Sequence, residues 1–515
     1  MLADMYDVIL IGESLPGLIT SALLGRRGHR VLVLKPADSA GTASQVFKSN
    51  GFTFPMGPLL FLGLHREGLY DKIFTELGLS LSLLKKEGSV FGCPVPPFQL
   101  LLPTHRLNFF SKGDEFLEEL GLEFPEDLKA IRAFTKTVEE TGRILDPFHH
   151  LPFPQWRPSL KDRIRQFWGL VQYWSMSRRL KRITALDYIK SQGLSFELQK
   201  LLELISLFFY QRSLSDLRAL ELVSLLTLVH QEVVEIREVW VNFAKIFIPR
   251  LKEYRGEFLT DIKLDGIIEE RGEVRGVKLD GGRVIKGHVV LVSLPSKLPM
   301  IRPKLQRNGQ GPPQDGQVRS YTMFFGIDGD VVPSAMMDHL LLASDLGQPL
   351  EADNFLYFRL TPRENPGPHG TGSGSRGTDK GIDKSEHPKG KRGLRVTCLV
   401  PFERPMLLPE REALRKAVLN HLIWLMPFSD GHIDYLGDDL EDTEKSKYLL
   451  DFLGPSHKLK EIRRYGARFY KTSLRNLFLL PEENQSLAAT QEGVKSGWDL
   501  AQYLTRWLTA ESRRR

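Results

Sequence analysis

Cysteine is almost absent from this 515-residue chain: only Cys93 and Cys398 occur, with no C-x-x-C and no histidine at zinc-ligand spacing. A disulfide framework and a thiolate metal site are excluded as organising features, and a reducing compartment, cytoplasmic by default, is expected. Long apolar runs are missing as well. No uninterrupted apolar stretch reaches the roughly eighteen residues that a membrane-spanning helix needs. No basic leader precedes the first strand pattern at Tyr6, so no secretory signal is expected. Neither sign of charge dominates: 70 Lys and Arg against 63 Asp and Glu leave +7, modest for a nucleic-acid binder and equally suited to touching anionic lipid. What remains, 42% hydrophobic and 26% charged residues, is the composition of a packed protein with two or three units.

The opening segment carries the most information. Tyr6-Asp-Val-Ile-Leu-Ile-Gly12 is a nearly continuous apolar run, the pattern of a strand buried on both faces of a parallel sheet. Gly12-Glu-Ser-Leu-Pro-Gly17 follows, then a helix over Leu18-Ile-Thr-Ser-Ala-Leu-Leu, a break at Gly28, and a second buried strand at Val31-Leu-Val-Leu34. This β-α-β unit has the size of a dinucleotide-binding unit. In the G-x-G-x-x-G loop of such units the first glycine makes the turn, the second lets backbone approach the pyrophosphate, and the third lets helix pack on strand. Gly12 and Gly17 hold the outer positions here, and Ser14 holds the middle one. Its Cβ pushes toward the phosphates, while its hydroxyl is able to donate to them. Lys35 stands where an acidic residue should end the second strand. An ammonium has only donors and cannot grip a ribose diol, though it suits a phosphate, which leaves a 2′-phosphorylated nicotinamide nucleotide open.

Helical periodicity dominates from about Leu100 to Ile246, with apolar residues three and four apart over Leu198 to Phe209 and Leu214 to His230. Strands return at Phe258-Leu-Thr-Asp-Ile, Leu264 to Glu269, Val274 to Leu279 and, after the turn Asp280-Gly-Gly, Val289 to Val292. Residues 362–393 are dense in Gly, Ser, Lys and Pro and read as a disordered surface insertion between strands at Phe355–Leu360 and Leu394–Val400. A final strand at Leu477 to Leu480 precedes a helix from about Glu492 to Leu508. His149-His150 suggests a metal, but adjacent histidines point apart on a regular element and no third ligand is near. No Ser-His-Asp or paired-carboxylate arrangement stands out, as expected where a cofactor carries the chemistry.

These blocks resemble the phytoene desaturase-like branch of the flavin-dependent amine oxidase and GDI superfamily. The likeness begins with Tyr6 to Gly12 and continues through Gly28-His-Arg-Val-Leu-Val-Leu. Asn50-Gly-Phe-Thr-Phe-Pro-Met-Gly-Pro58 is similar to the family's G-F-x-F-D-x-G-P, with Pro55 in place of Asp. Glu273 to Gly282, Val289 to Pro295 and Asn476 to Gly497 follow in family order. The resemblance implies an α/β fold: a Rossmann-like FAD/NAD(P)-binding domain with an α+β substrate or cap domain. The division implied is 1–95 and 247–300 with 456–515 for the cofactor domain, and 96–246 (helical) with 301–455 for the substrate domain. FAD is the implied cofactor, its pyrophosphate resting on Gly12, Ser14, Leu15 and Gly17. Lys35, Gly41, Thr42 and Gly57 would border it, the backbone of Leu264 would meet adenine, and Glu482 would stand near the ribityl chain.

The departures cluster at that cofactor. Ala40-Gly41-Thr42 lacks the family's arginine, and Pro481, Leu487, Ala489 and Glu492 line up with glycines. Two functions therefore stay open. One is an FAD-dependent oxidoreductase, with no catalytic side chain singled out, acting on a long isoprenoid or carotenoid-like substrate by flavin hydride transfer. The other is a flavin-free, GDI-like pseudoenzyme holding a lipid or a lipidated partner. Ile205, Leu207, Phe208, Phe209, Leu222, Leu225 and Leu226 would supply an apolar tunnel, although apolar residues at helical spacing ordinarily fill a core. Tryptophans among the basic residues of 163–182, with the tail from Arg506, suit peripheral contact with a membrane surface. Nucleic acid is not expected as a partner, since no recognition motif accompanies the charge.

Overall fold

A computed structural model of the chain describes residues 5–37, 46–55, 60–66, 68–86, 98–109, 113–149, 178–231, 233–236, 239–294, 318–361, 387–401, 406–439, 460–464, 467–481, 488–489 and 491–512. The strand β1 (Tyr6–Ile11), the helix α1 (Leu15–Arg26) and the strand β2 (Val31–Pro36) form the unit read from the sequence. Apolar residues surround α1 on every side because it is covered on every side. All of its residues from Leu15 to Gly25 are buried, and Gly28, at φ +87°, turns the chain into β2.

Beyond β2 come the hairpin β3 (Val46–Ser49) and β4 (Phe52–Pro55), then β5 (Leu60–Leu62), α2 (Leu69–Glu76), α3 (Leu81–Lys86), β6 (Phe98–Leu101) and β7 (Arg106–Phe109). Helices α4 (Gly113–Glu123), α5 (Leu128–His149), α6 (Ala185–Ser191), α7 (Phe196–Tyr210) and α8 (Ala219–Gln231) follow. Then come β8 (Val233–Glu235), α9 (Val239–Glu253) and the strands β9 (Glu257–Ile262), β10 (Leu264–Glu270), β11 (Glu273–Leu279) and β12 (Val284–Leu294). The strands β13 (Val318–Asp328), β14 (His339–Leu342), β15 (Leu356–Leu360) and β16 (Lys391–Pro401) lead to α10 (Leu408–Leu425). The chain closes with β17 (Ile433–Asp438), β18 (Lys460–Arg464), β19 (Ala467–Lys471), β20 (Leu477–Pro481), β21 (Ala488–Ala489) and α11 (Gln491–Ser512).

Five parallel strands lie side by side as β9-β2-β1-β12-β20, which in chain order reads 3-2-1-4-5, the doubly wound order with its reversal between β1 and β12. The β18–β19 hairpin and the meander β10–β11 extend the same sheet. One face is covered by α1, α2, α9 and α11, the other by the meander. The second sheet runs β17-β13-β16-β15-β14-β6-β7. Helices α4 to α8 pack on one of its faces and α10 on the other. A small sheet, β21-β5-β8, lies between these two bodies.

Two sequence readings need correction. The stretch read as helical from Leu100 opens with the β6–β7 hairpin, and β8 interrupts it. Four-residue apolar runs such as Phe98-Gln-Leu-Leu carry too little periodicity to separate strand from helix. The insertion assigned to 362–393 is ordered at its end, where His387 packs on Phe52 and Phe54 and β16 begins at Lys391. Residues 362–386 lie outside the described residues, as do Cys93, His150 and 151–177; Cys398 is buried. No described helix is long and apolar enough to cross a membrane.

Candidate functional site

The site starts where β1 ends. Gly12 turns the chain at φ +102°, and a Cβ there would lie 2.7 Å from the Cβ of Ser293 near the end of β12. At Gly17 an added Cβ would meet Leu10 Cδ2 at 3.0 Å and Ser293 Oγ at 3.1 Å. Both glycines are thus required by contact with neighbouring strands, at the reversal of strand order where doubly wound folds take ligands. Ser14 caps α1: its Oγ accepts the Gly17 N–H at 3.3 Å and touches Ser293 Oγ. Leu18 N–H donates to Ser14 O at 2.9 Å, and Pro16 has no N–H to give. The first-turn amides of α1 lack partners within the helix, and the Gly17 N–H is held by Ser14 Oγ across a long hydrogen bond. The closing motif takes part as well. A Cβ on Gly497 of α11 would lie 2.5 Å from Pro16 O, and Thr20 Oγ1 lies within hydrogen-bond distance of Pro16 O (2.8 Å) and Gly497 O (2.9 Å). Close backbone approach of the loop to β12 and α11 is therefore retained, as a pyrophosphate-binding turn requires.

Lys35, near the end of β2, places its Nζ 2.9 Å from Glu13 Oε1 in the same loop. Leu264 opens β10 opposite Leu279, with its side chain in the core beneath the meander, and Ala37 N–H donates to the neighbouring Ile262 O. Gly12, Ser14, Leu15, Gly17, Lys35 and Leu264 thus gather at the carboxyl edge of the parallel strands. Gly41, Thr42, Gly57 and Glu482 lie outside the described residues.

A second group of polar residues escaped the sequence reading. His339, Arg359 and Arg395 sit directly opposite one another on β14, β15 and β16, forming a row across the second sheet. All three are buried. Glu235 of β8 faces the row: its Oε1 accepts from Arg359 Nε at 3.0 Å and Nη2 at 2.5 Å, and its Oε2 lies 3.4 Å from His339 Nε2. Two residues before Arg359 on the same strand face, Tyr357 shares a 2.6 Å hydrogen bond with His339 Nδ1 and sits edge-on to Phe208. The Glu235 carboxylate beside Nε2 favours a proton on that nitrogen, and Nδ1 shares its hydrogen bond with the Tyr357 hydroxyl. Burial alone would raise the Glu235 pKa, but Arg359 and His339 outweigh it and hold the carboxyl well below the usual range. Burial, then the Glu235 charge, push the Tyr357 hydroxyl up. Arg395 donates to Pro55 O at 3.2 Å, at the position where the resembling family carries Asp. The signal for this cluster was a tyrosine and an arginine two residues apart in the apolar run Phe355–Leu360, since a charge in a buried strand demands a partner.

In the cap, a cavity of about 50 Å³ lies among α4, α5, α7 and α8, with Phe116, Phe134, Leu201, Ile205 and Leu226 in its wall and His230 at its rim. Of the residues proposed for a tunnel, Ile205 and Leu226 reach it, and the others fill the surrounding core. Among the described residues no group of three or more His, Cys, Asp or Glu is placed to hold a metal.

No family model matches the chain. The all-trans-retinol 13,14-reductase of Rattus norvegicus is 29% identical over 213 residues, 39% of this chain and 32% of the relative. Prolycopene isomerase 2 of an Oncidium hybrid cultivar is 30% identical over 144 residues, 26% and 22% of the two chains. A 4,4′-diapophytoene desaturase of a Methylomonas species is 22% identical over 302 residues, 57% and 54%. The chain thus spans about a third of the length of the first of these relatives. Among solved structures, Rab GDI of Plasmodium falciparum superposes with a TM-score of 0.53 at 12% identity over 97% of each chain. Putrescine oxidase bound to putrescine superposes with 0.53 at 13% identity over 98% of this chain and 99% of its own. At such identities the two structures speak for the fold.

Proposed function

As a relative of the phytoene desaturase-like flavin oxidoreductases, this chain, we propose, is itself an FAD-dependent oxidoreductase acting on a long isoprenoid chain of the retinoid or carotenoid type. The observation that carries the reading is the loop at the strand-order reversal, where Gly12 and Gly17 keep backbone pressed against Ser293 and a pyrophosphate would rest on Ser14, Leu15 and Gly17. Bound there, the flavin would supply hydride exchange at its N5. The chain supplies the rest. Adding hydride to a polyene requires a proton at the neighbouring carbon, and desaturation requires one removed. Tyr357, His339 and the Glu235 carboxylate form a connected chain that would move it: the Tyr357 hydroxyl shares its hydrogen bond with His339 Nδ1, so a proton passed to or taken from the substrate at that oxygen would be balanced by one drawn from or returned to the imidazole, with Nε2 held beside Glu235. Arg359 keeps Glu235 ionised, so the path does not stall at a neutral acid.

The apolar core of helices α4 to α8 supplies the side chains that would exclude water from such a substrate. Exposed Ile423, Trp424 and Phe428 at the end of α10 support collection of such a substrate at a membrane surface. Purified protein, supplied with FAD and a C20 to C40 polyene, is expected to show a flavin spectrum that the polyene perturbs. Protein that stays colourless after reconstitution yet retains an isoprenoid would overturn the enzyme reading in favour of a flavin-free lipid holder.

A further inference from the structure

In the doubly wound dinucleotide fold the ribose hydroxyls are accepted by a carboxylate at the end of the second strand. This chain puts Lys35 there, and the deficit looks fatal to nucleotide binding until Glu13 is considered. Glu13 follows the turn glycine of the loop. Its side chain is only 2% exposed, yet it reaches across from the β1–α1 turn to the end of β2, where Oε1 meets Lys35 Nζ at 2.9 Å. A carboxylate sunk that deeply is costly unless a cation holds it. Lys35, at 28% exposure, is that cation, and the N-terminal end of α1 adds its partial positive charge. The two positions have exchanged signs.

We propose that Glu13 has taken over the ribose grip: the acceptor has moved from the end of β2 into the glycine loop, and Lys35 holds it ionised and aimed. The adenosine ribose of the cofactor donates its hydroxyls to Glu13. This rests on the flavin reading above and deepens it. It also excludes the 2′-phosphorylated nucleotide left open by the sequence, because a phosphate approaching Lys35 meets the Glu13 carboxylate beside it.

Equilibrium binding of FAD and FMN, followed by flavin fluorescence, tests the idea in the full-length chain, with ADP and 2′,3′-dideoxy-ADP as competitors. FMN lacks the adenosine half, so Glu13→Gln is expected to weaken FAD at least tenfold and to leave FMN unchanged. The double variant Glu13→Ala/Lys35→Glu, which returns the carboxylate to β2, should recover most of the FAD affinity. In the unaltered protein, ADP should compete at least tenfold better than its dideoxy analogue, which needs no variant to fold. NADPH should not compete better than NADH. Equal competition by ADP and dideoxy-ADP, or Glu13→Gln binding FAD as tightly as the parent, overturns the proposal and leaves the flavin reading standing. A parent that binds neither FAD nor FMN sinks both.

Discussion

Replacing Glu235 by Gln removes one charge from a buried row that otherwise holds two guanidiniums and an imidazole. The carboxylate accepts two hydrogen bonds from Arg359, whose side chain is 6% exposed, and faces His339, which is 2% exposed. Gln keeps the shape and one carbonyl acceptor but leaves the Arg359 charge without its counter-ion. Breaking a buried pair from one side costs about 3–5 kcal/mol, against a total stability on the order of 5–15 kcal/mol for a domain. Glu235 joins β8 to the second sheet, so the loss falls on the junction between the two bodies of the molecule. Urea unfolding should show a transition at clearly lower denaturant, led by the helical cap and the second sheet. The double variant Glu235→Leu/Arg359→Met, which removes both charges, should lose less than Glu235→Gln alone.

Acid provides a second reading of the same pair. The folded pKa of Glu235 lies below its ordinary value near 4.5. Its contribution is therefore complete above that value and is lost as pH falls toward the folded pKa, so Glu235→Gln should flatten the acid limb of the stability profile. A Glu235→Gln protein within about 0.5 kcal/mol of the parent, the scatter of an ordinary surface change, would refute the claim that this pair holds the junction.

Gly497→Ala gains up to about 1 kcal/mol of helix propensity but drives a methyl to within 2.5 Å of the Pro16 carbonyl. Backbone cannot yield there, so a net loss of about 1–3 kcal/mol is expected in thermal unfolding, with weaker FAD binding because the α1 N-terminus is displaced. His387 lies between Phe52 and Phe54, and neither of its ring nitrogens finds a hydrogen-bond partner among the described residues; burial, then the Arg359 charge, push its pKa down to about 4. The unfolded chain takes up that proton first, near pH 6.5, so stability should fall from there toward pH 4. His387→Leu should shrink the gap in melting temperature between pH 8 and pH 5, and an unchanged gap would refute the assignment. Tyr357→Phe should lower turnover by about 10²- to 10⁴-fold while leaving the flavin spectrum and affinity intact, and equal turnover would remove the proposed proton path.

The β-α-β unit could be read from the sequence almost residue by residue because its strands are buried on both faces and appear as unbroken apolar runs, with glycines marking every tight approach. The strands β12 and β20 were legible for the same reason, and the half-exposed β9 to β11 as short strand-like runs set off by turn residues. The β6–β7 hairpin was not, because its short runs take their meaning from pairing with β14, more than 200 residues away. The cluster at Glu235 is the extreme case. Nothing near Glu235 in sequence marks it as functional, since its partners lie over a hundred residues along the chain. Lys35 was visible as an anomaly, but its answer, Glu13, required knowing that a side chain from the loop reaches the end of the next strand.

Local chemistry alone thus settled the β-α-β unit and the place of the loop, since backbone turns, helix starts and burial on two faces are properties of contiguous residues. Which charges meet was decided only when distant strands fell into register. An ion pair depends on a few ångströms of separation, and the linear order of residues does not contain that distance.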